Sequence, residues 1–196
     1  MSHPEGLAPG SPDASGPDGT GAEAPERVVL VDEHGAPIGT ADKSVIHDGD
    51  TPLHLAFSCH VFRADGRVLL TRRALGKRTF PGIWTNSFCG HPAPGEEPAD
   101  AVRRRGAHEL GLEIGALELV LPHFRYEATD ASGIVENEIC PVFRTVVDAD
   151  PQPRADEVAE WEWATPARVR AAVEATPFAF SPWLVLQLSS WPEFGV

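Results

Sequence analysis

The sequence predicts a mixed α/β (α+β) fold, a sandwich in which a central mixed β-sheet lies between helices. Two observations predict it. Segments with strand character come first and are interrupted by one helical segment, and two further helices close the chain. Domains are built from packed layers, and this order of strands, helix, strands and helices is typical of a sheet covered by helices. No internal repeat indicates another architecture.

The first part of the folded region is expected to be mainly β-structure. A strand is predicted at 27–32 ("RVVLVD") and is followed by the turn "DEHG". Two further strands, at 54–62 and 67–73, flank "RADG", which is a hairpin signal. The segment "WTNSF" is expected to add a short strand.

A helix is predicted at 98–110 ("PADAVRRRGAHEL"), since Gly111 directly after it can take the left-handed conformation that ends helices. Two long strands are predicted next, at 116–128 and 133–147, around the turn "TDASG".

The C-terminal part is expected to contain one more strand, "EWEWA", and two helices. The helices begin at Thr165-Pro166 and Ser181-Pro182, because Ser or Thr favours the N-cap and proline favours the first helical position.

Residues 1–26 are dominated by Gly, Pro, Ala, Ser and acidic residues. Such a segment buries too little apolar surface to offset the entropy of ordering it. We therefore predict a disordered tail at 1–26 and a single domain at 27–196.

The composition limits the function. Net charge is −13, from 29 acidic against 16 basic residues, which disfavours non-specific binding to nucleic acid or to an anionic membrane. No apolar run approaches the roughly 20 residues that span a bilayer, and no secretory signal is visible. Three irregularly spaced cysteines, Cys59, Cys89 and Cys140, favour a reducing compartment, so we expect a cytoplasmic protein.

The stretch from Asn86 to Leu112 resembles the Nudix box, G-x5-E-x7-R-E-U-x-E-E-x-G-U, where U is aliphatic. The residues that fit are Gly90, Glu96, Arg104, Glu109, Gly111 and Leu112. Arg105 and His108 replace two glutamates, and Gly106 replaces an aliphatic residue. On the pattern alone, an ordinary amphipathic helix with charged residues on its wet face remains the alternative.

The replacement of a box glutamate by Arg105 has a chemical consequence. A Nudix helix offers carboxylates to hard cations that bind a diphosphate and activate water. A guanidinium cannot bind a cation, but it binds phosphate oxygens directly. We therefore expect diphosphate binding without most of the water-activating metal cluster.

A second group of potential metal ligands lies outside the box. Glu136 and Glu138 alternate in "GIVENEI", so both carboxylates point to one face of a strand. Three histidines with these carboxylates suit a borderline divalent ion such as Mn²⁺ or Zn²⁺. Spacing alone does not choose His47, His54 and His91 over the other histidines, which are His3, His34, His60, His108 and His123.

From about Arg27 to Gln187 the chain resembles the type I isopentenyl diphosphate isomerases, which are divergent members of the Nudix fold. The segments that carry the resemblance are "LHLAFSCHVF", "TRRALGKRTFPGIWTNSFCGHP", "FRYEATDASGIVENEICPVF" and "ATPFAFSPW". The resemblance implies a reversible 1,3 proton shift that converts isopentenyl diphosphate into dimethylallyl diphosphate in isoprenoid biosynthesis.

The resemblance also implies roles for single residues. Cys89 and Glu138 are the acid/base pair on opposite faces of the allyl unit, Tyr126 hydrogen-bonds the glutamate, and Trp183 faces the allylic cation. The implied bases for the diphosphate are Lys43, Arg73, Lys77 and Arg105. The implied Mn²⁺ or Zn²⁺ ligands are His47, His54, His91, Glu136 and Glu138.

The same resemblance implies that a Mg²⁺ bridging the diphosphate uses Glu109 and the Cys89 carbonyl, and that no flavin is needed. The implied partner is a small diphosphate substrate, with neither nucleic acid nor membrane insertion. The oligomeric state is left open, with a monomer among the alternatives. A Nudix hydrolase of a nucleotide or prenyl diphosphate is the competing hypothesis, and a non-catalytic binding module is a third.

Overall fold

The computed structural model describes residues 26–195, so the predicted tail, apart from Glu26, lies outside the described residues. The strands are β1 (Arg27–Val31), β2 (Pro37–Asp42), β3 (His54–Leu55), β4 (Phe57–Phe62), β5 (Val68–Arg73), β6 (Trp84–Thr85), β7 (Phe88–Gly90), β8 (Glu118–Leu121), β9 (Arg125–Thr129), β10 (Val135–Ile139), β11 (Val142–Val146) and β12 (Val158–Ala164). The helices are α1 (Lys43–Ile46), α2 (Pro98–Leu110), α3 (Pro166–Ala175) and α4 (Pro182–Ser190), with a 3-10 turn at Pro177–Ala179.

The strands form two mixed sheets where the sequence predicts one. The first sheet has the order β2-β1-β3-β10-β9, and the second has the order β12-β5-β4-β11-β8, with β6 beside β5 and β7 beside β4. Each sheet contains one parallel pair, β3 with β10 in the first and β4 with β11 in the second. The α+β class is therefore confirmed, and its sheet is divided in two.

The division arises where predicted strands break, so the predictions of single strands at 54–62, 116–128 and 133–147 are wrong. The strand predicted at 133–147 breaks at Cys140 and Pro141, because proline has no N–H for a sheet. The strand predicted at 116–128 breaks at 122–124, which also begins with a proline. The strand predicted at 54–62 breaks at Ala56, where the chain passes from the first sheet to the second beside the break at Cys140. The Ala56 N–H donates to the Ile139 carbonyl at 2.9 Å.

Helix α2 has the predicted bounds and ends as predicted, with Gly111 at φ 62° in the left-handed region. Its fully buried residues Ala101, Val102 and Leu110 pack in a core with Phe57 and Phe88 of the second sheet. This packing places the box helix against β4 and β7, next to Cys89.

Helix α4 begins at the predicted N-cap. The Ser181 hydroxyl accepts a hydrogen bond from the Leu184 N–H at 3.3 Å, and the Ser181 N–H donates to the Trp84 carbonyl at 2.8 Å. Trp183 is therefore fixed on the first turn, against the second sheet. Thr165 caps α3 by its backbone position without a side-chain hydrogen bond. Among residues 26–195 no helix combines the length and apolar character needed to cross a bilayer.

Deletion of residues 1–25 is expected to leave kcat/KM and the melting temperature nearly unchanged, because their composition is that of a solvated linker. Steady-state kinetics and thermal unfolding of the truncated protein check this. A large fall in either quantity would show that the segment packs on the domain or covers the site.

Candidate active site

A cavity of about 390 Å³ is lined by residues of both sheets and of α1, α2 and α4. Every predicted site residue except His54 lines it, namely Lys43, His47, Arg73, Lys77, Cys89, His91, Arg105, Glu109, Tyr126, Glu136, Glu138 and Trp183. These residues are spread over most of the described chain, and the fold brings them to one place.

Strand register aligns one wall of the cavity. Glu138 of β10 is paired with His54 of β3 on one side and with Tyr126 of β9 on the other. Glu136 and Glu138 are both buried and separated by the half-buried Asn137, as the alternation of a strand requires. The Tyr126 hydroxyl lies 2.7 Å from Glu136 Oε2 and 2.9 Å from Glu138 Oε2, so its single proton bridges the two carboxylates.

His47, His54, His91 and Glu138 form a cluster in which one ligand atom from each lies within 4.8 Å of all the others. Glu138 Oε1 is 3.2 Å from His91 Nε2 and 3.6 Å from His54 Nε2. Three imidazoles and a carboxylate are a common donor set for a borderline divalent metal.

The protonation of the histidines fits a metal site. His54 Nδ1 lies 2.9 Å from the Pro52 carbonyl, which can only accept, so Nδ1 carries a proton and Nε2 is the nitrogen that faces Glu138. Burial favours the neutral form of His54, but the Glu138 carboxylate beside it outweighs this and raises its pKa. His54 Nε2 and His91 Nδ1 are buried without a hydrogen-bond partner. Burial lowers the pKa of His47 to about 4 and that of His91 to about 3, so both are neutral imidazoles at physiological pH.

Glu136 lies beside this cluster and is held separately. Thr79 donates a short hydrogen bond to its Oε1, and Tyr126 donates to its Oε2. Burial and the neighbouring charge of Glu138 raise the pKa of Glu136. Two buried carboxylates this close favour either a shared proton or a cation between them.

Cys89 lies on β7 opposite Ser58 of β4. Its Sγ is 3.2 Å from the Ser58 hydroxyl and 3.3 Å from Asn86 Oδ1. Burial raises the pKa of Cys89 to about 12, so the group is a thiol at neutral pH and has a proton to give. The Asn86 amide is oriented by its donation to the Cys59 and Phe88 carbonyls, and its oxygen therefore faces Cys89.

Trp183 is 1% exposed, and its indole N–H donates to the same Asn86 oxygen at 2.9 Å. Its ring centroid lies 5.7 Å from that of Tyr126 and 5.3 Å from that of Phe80. The Arg73 guanidinium carbon lies 5.6 Å from the Trp183 ring centroid, a cation–π distance. The Trp183 ring thus lies within cation–π distance of one positive charge, that of Arg73.

Trp183→Phe is expected to retain measurable activity, whereas Trp183→Leu is expected to lose clearly more kcat. A ring face supplies negative potential without a nucleophilic lone pair, which in a desolvated site is worth about 2 kcal/mol, or roughly 30-fold in rate. Steady-state kinetics of both folded variants separate the effects. If Leu performs as well as Phe, Trp183 is a packing residue.

The four predicted diphosphate bases are already engaged with the protein. Arg105 donates to Glu109 Oε1 from Nε at 2.9 Å, and Lys77 donates to Glu157. Lys43 donates to Glu26 Oε2 at 2.6 Å. Arg73 instead donates to the Thr79 carbonyl at 2.9 Å.

Two positions of the box have structural roles: Glu96 keeps the residue of the Nudix pattern, and Gly106 departs from it. Glu96 accepts from Arg104 at 2.7 Å and from the Ala93 N–H at 2.8 Å, which closes the loop before α2. A Cβ on Gly106 would lie 2.6 Å from Ile114 Cγ1, so the aliphatic residue of the usual box has no room here.

Sequence reasoning missed several residues that hold this site. Thr79, Asn86 and Ser58 lie within the segments that carry the resemblance, but nothing in their spacing indicates a role. Glu157 lies in the stretch "ADEVAE", which matches no motif of the site. Its contact with Lys77 and Arg105 is visible only in the fold.

Residues 52–184 match the NUDIX domain family, so this is a Nudix protein. Over 163 residues it is 63% identical to an isopentenyl-diphosphate Delta-isomerase of Clavibacter michiganensis, covering 83% of this chain and 84% of that one. It is 64% identical over 160 residues to the isomerase of the same name from Kocuria rhizophila, covering 82% and 89%. The chain belongs to the isopentenyl-diphosphate Delta-isomerase family.

Solved structures show the same fold at low identity. A Deinococcus radiodurans protein superposes with a TM-score of 0.67 at 22% identity, over 85% of this chain and 99% of that one. The MutT protein from Methanosarcina mazei gives 0.53 at 23% identity, over 61% and 82%. At these identities the likeness shows the fold alone, and it agrees with the predicted Nudix-like sandwich.

Proposed function

We propose that this protein catalyses the reversible isomerisation of isopentenyl diphosphate to dimethylallyl diphosphate by protonation and deprotonation, a step of isoprenoid biosynthesis. The observation that carries the proposal is that a half-buried thiol, Cys89, and a buried carboxylate, Glu138, line the same cavity as the bases Lys43, Lys77 and Arg105. A 1,3 proton shift needs an acid on one face of the allyl unit and a base on the other.

The apolar half of the substrate fits the aromatic end of the cavity. Protonating an unactivated alkene forms a tertiary carbocation, which any water present would trap as an alcohol. Tyr126 and Trp183 line that end with aromatic rings, and Phe80 packs against the Trp183 ring. Cys89 and Glu138 are the groups that give and take the protons, and the Tyr126 hydroxyl orients Glu138.

The diphosphate is bound by Lys43, Arg73, Lys77 and Arg105, which supply charge and hydrogen bonds to its oxygens. Glu109 and the Cys89 carbonyl would hold a Mg²⁺ that neutralises part of the diphosphate charge when bound. Because Arg105 replaces a box glutamate, the site binds the diphosphate while it lacks part of the carboxylate set with which Nudix hydrolases activate water.

His47, His54, His91, Glu138 and the adjacent Glu136 would hold one Mn²⁺ or Zn²⁺. Such an ion supplies fixed positive charge that stabilises the ionised glutamates. The position of His54 Nε2, which faces Glu138 and has no hydrogen-bond partner, and the neutral state of His47 and His91 support this assignment. The imidazoles themselves fix the position of Glu138, since two of them contact its Oε1.

The proposal is tested against the competing hypothesis of a Nudix hydrolase by product analysis. Purified protein is incubated with isopentenyl diphosphate, Mg²⁺ and Mn²⁺, and both free phosphate and the organic products are measured. We expect dimethylallyl diphosphate and no released phosphate. Release of phosphate or of a monophosphate, without the isomer, would support a hydrolase instead.

A further inference from the structure

Two carboxylates that are not among the predicted site residues, Glu157 and Glu26, contact the bases of the cavity in different ways. Glu157 joins Lys77 and Arg105: its Oε2 accepts from Lys77, and its Oε1 accepts from Arg105 Nη2 at 3.1 Å. Its side chain is only 11% exposed. Glu26 joins Lys43 and Arg105 through Oε2 at 2.6 Å and Oε1 at 3.3 Å, and its side chain is 50% exposed.

The Arg105 guanidinium divides these two contacts between its edges. Its inner edge, Nε and Nη2, is taken by Glu109 and Glu157, while Nη1 meets Glu26. A guanidinium that is 6% exposed needs a buried counter-charge, because an unpaired buried charge is strongly unfavourable. The inner carboxylates provide that charge and leave Nη1 as the edge available to an incoming anion.

The backbone of Glu157 is also tied to the segment that carries Lys77. Its carbonyl accepts from the Ala74 N–H at 3.0 Å, and the Lys77 N–H donates to the Ala74 carbonyl at 3.1 Å. The Glu157 side chain therefore sets the separation between the positive charges of Lys77 and Arg105, which would otherwise repel each other. Both charges lie on the cavity wall.

We propose that Glu157 is a positioning residue that holds Lys77 and Arg105 in place for a diphosphate, whereas Glu26 is a resident anion that the diphosphate displaces from Lys43 and Arg105. The carboxylate of Glu26 bridges two cations, as two phosphate oxygens would, and its exposure lets it swing into solvent. The inference rests on the proposed function in that it takes these bases as the diphosphate site.

The test compares Glu157→Gln with Glu26→Gln, since each keeps the side-chain shape and removes one negative charge from the same group of bases. A purely electrostatic effect would tighten anion binding in both variants. We expect opposite signs instead: Glu26→Gln lowers the Kd for Mg-pyrophosphate and the KM for isopentenyl diphosphate by about 2- to 5-fold. Glu157→Gln raises both by at least about 5-fold, with kcat changed much less.

Glu160→Gln is the matched control, because Glu160 pairs with Arg72 at the surface, is 57% exposed and is not part of the cavity wall. It should leave both constants unchanged. Where Glu157→Gln does not yield folded protein, Glu157→Asp keeps the charge, shortens the arm and should still weaken pyrophosphate binding. Calorimetry with inorganic pyrophosphate does not require turnover. A wild-type protein that failed to isomerise isopentenyl diphosphate would therefore refute the proposed function, and the pyrophosphate measurements would still test this inference.

Two results would overturn the inference. One is a Glu157 variant that binds pyrophosphate as tightly as the wild type or more tightly. The other is a Glu26→Gln variant with unchanged or weaker binding, which would make Glu26 a bystander or a second positioning residue.

Discussion

Cys89→Ala and Glu138→Gln are each expected to lower kcat by at least about 10²-fold, the low end for positioned acid–base groups. Each substitution removes a proton donor or acceptor from one face of the allyl unit, and the group on the opposite face cannot replace it. The cavity around both residues is otherwise kept, because alanine and glutamine introduce no larger side chain. Steady-state kinetics of purified, metal-loaded variants measure the effect.

Cys59→Ala is the matched control for the thiol, since Cys59 is fully buried on the neighbouring strand β4 and does not line the cavity. It should keep kcat close to the wild-type value even where it lowers stability. Bound metal is measured in Glu138→Gln, because Glu138 also belongs to the proposed ligand set. Near-normal turnover in either Cys89→Ala or metal-loaded Glu138→Gln would refute the assignment of that residue.

The double variant His54→Ala/His91→Ala is expected to lose most of its bound transition metal. It removes two of the three imidazoles of the proposed site, and the remaining His47, Glu136 and Glu138 offer one nitrogen ligand and two carboxylates, which hold a borderline ion less tightly. Metal analysis of the purified protein without substrate measures the loss, and it does not depend on activity.

His123→Ala serves as the control for this experiment, because His123 is exposed and lies outside the cluster. It should retain the wild-type metal content. Full occupancy in the double variant would remove His54 and His91 from the metal site and leave them as imidazoles that pack around Glu138.

Local signals in the sequence predicted the parts of the fold that depend on local physics. Helix α2 and its end at Gly111 follow from helix termination by a residue with positive φ. The shared orientation of Glu136 and Glu138 on one face follows from the alternation of a strand. The resemblance then supplied the partners of these residues, and the fold brings all of them except His54 to the wall of one cavity.

Features set by long-range contacts could not be predicted in this way. Whether "ENEICPVF" continues as one strand or passes between two sheets depends on what pairs with each half, and the proline at 141 alone does not decide it. Asn86 and Glu157 act through partners 97 and 52 residues away in the chain, Trp183 and Arg105. No pattern within a short window contains that information.

Proton NMR of isopentenyl diphosphate incubated with the protein in D₂O, with Mg²⁺ and Mn²⁺, tests the central claim most directly, because it follows the protons themselves. Reversible protonation on one face and deprotonation on the other predicts dimethylallyl diphosphate that carries deuterium from solvent at the carbons that exchange protons, with the diphosphate intact. Cys89→Ala should show neither isomer nor exchange. Recovery of unlabelled substrate, or of an alcohol or monophosphate in place of the isomer, would contradict the account.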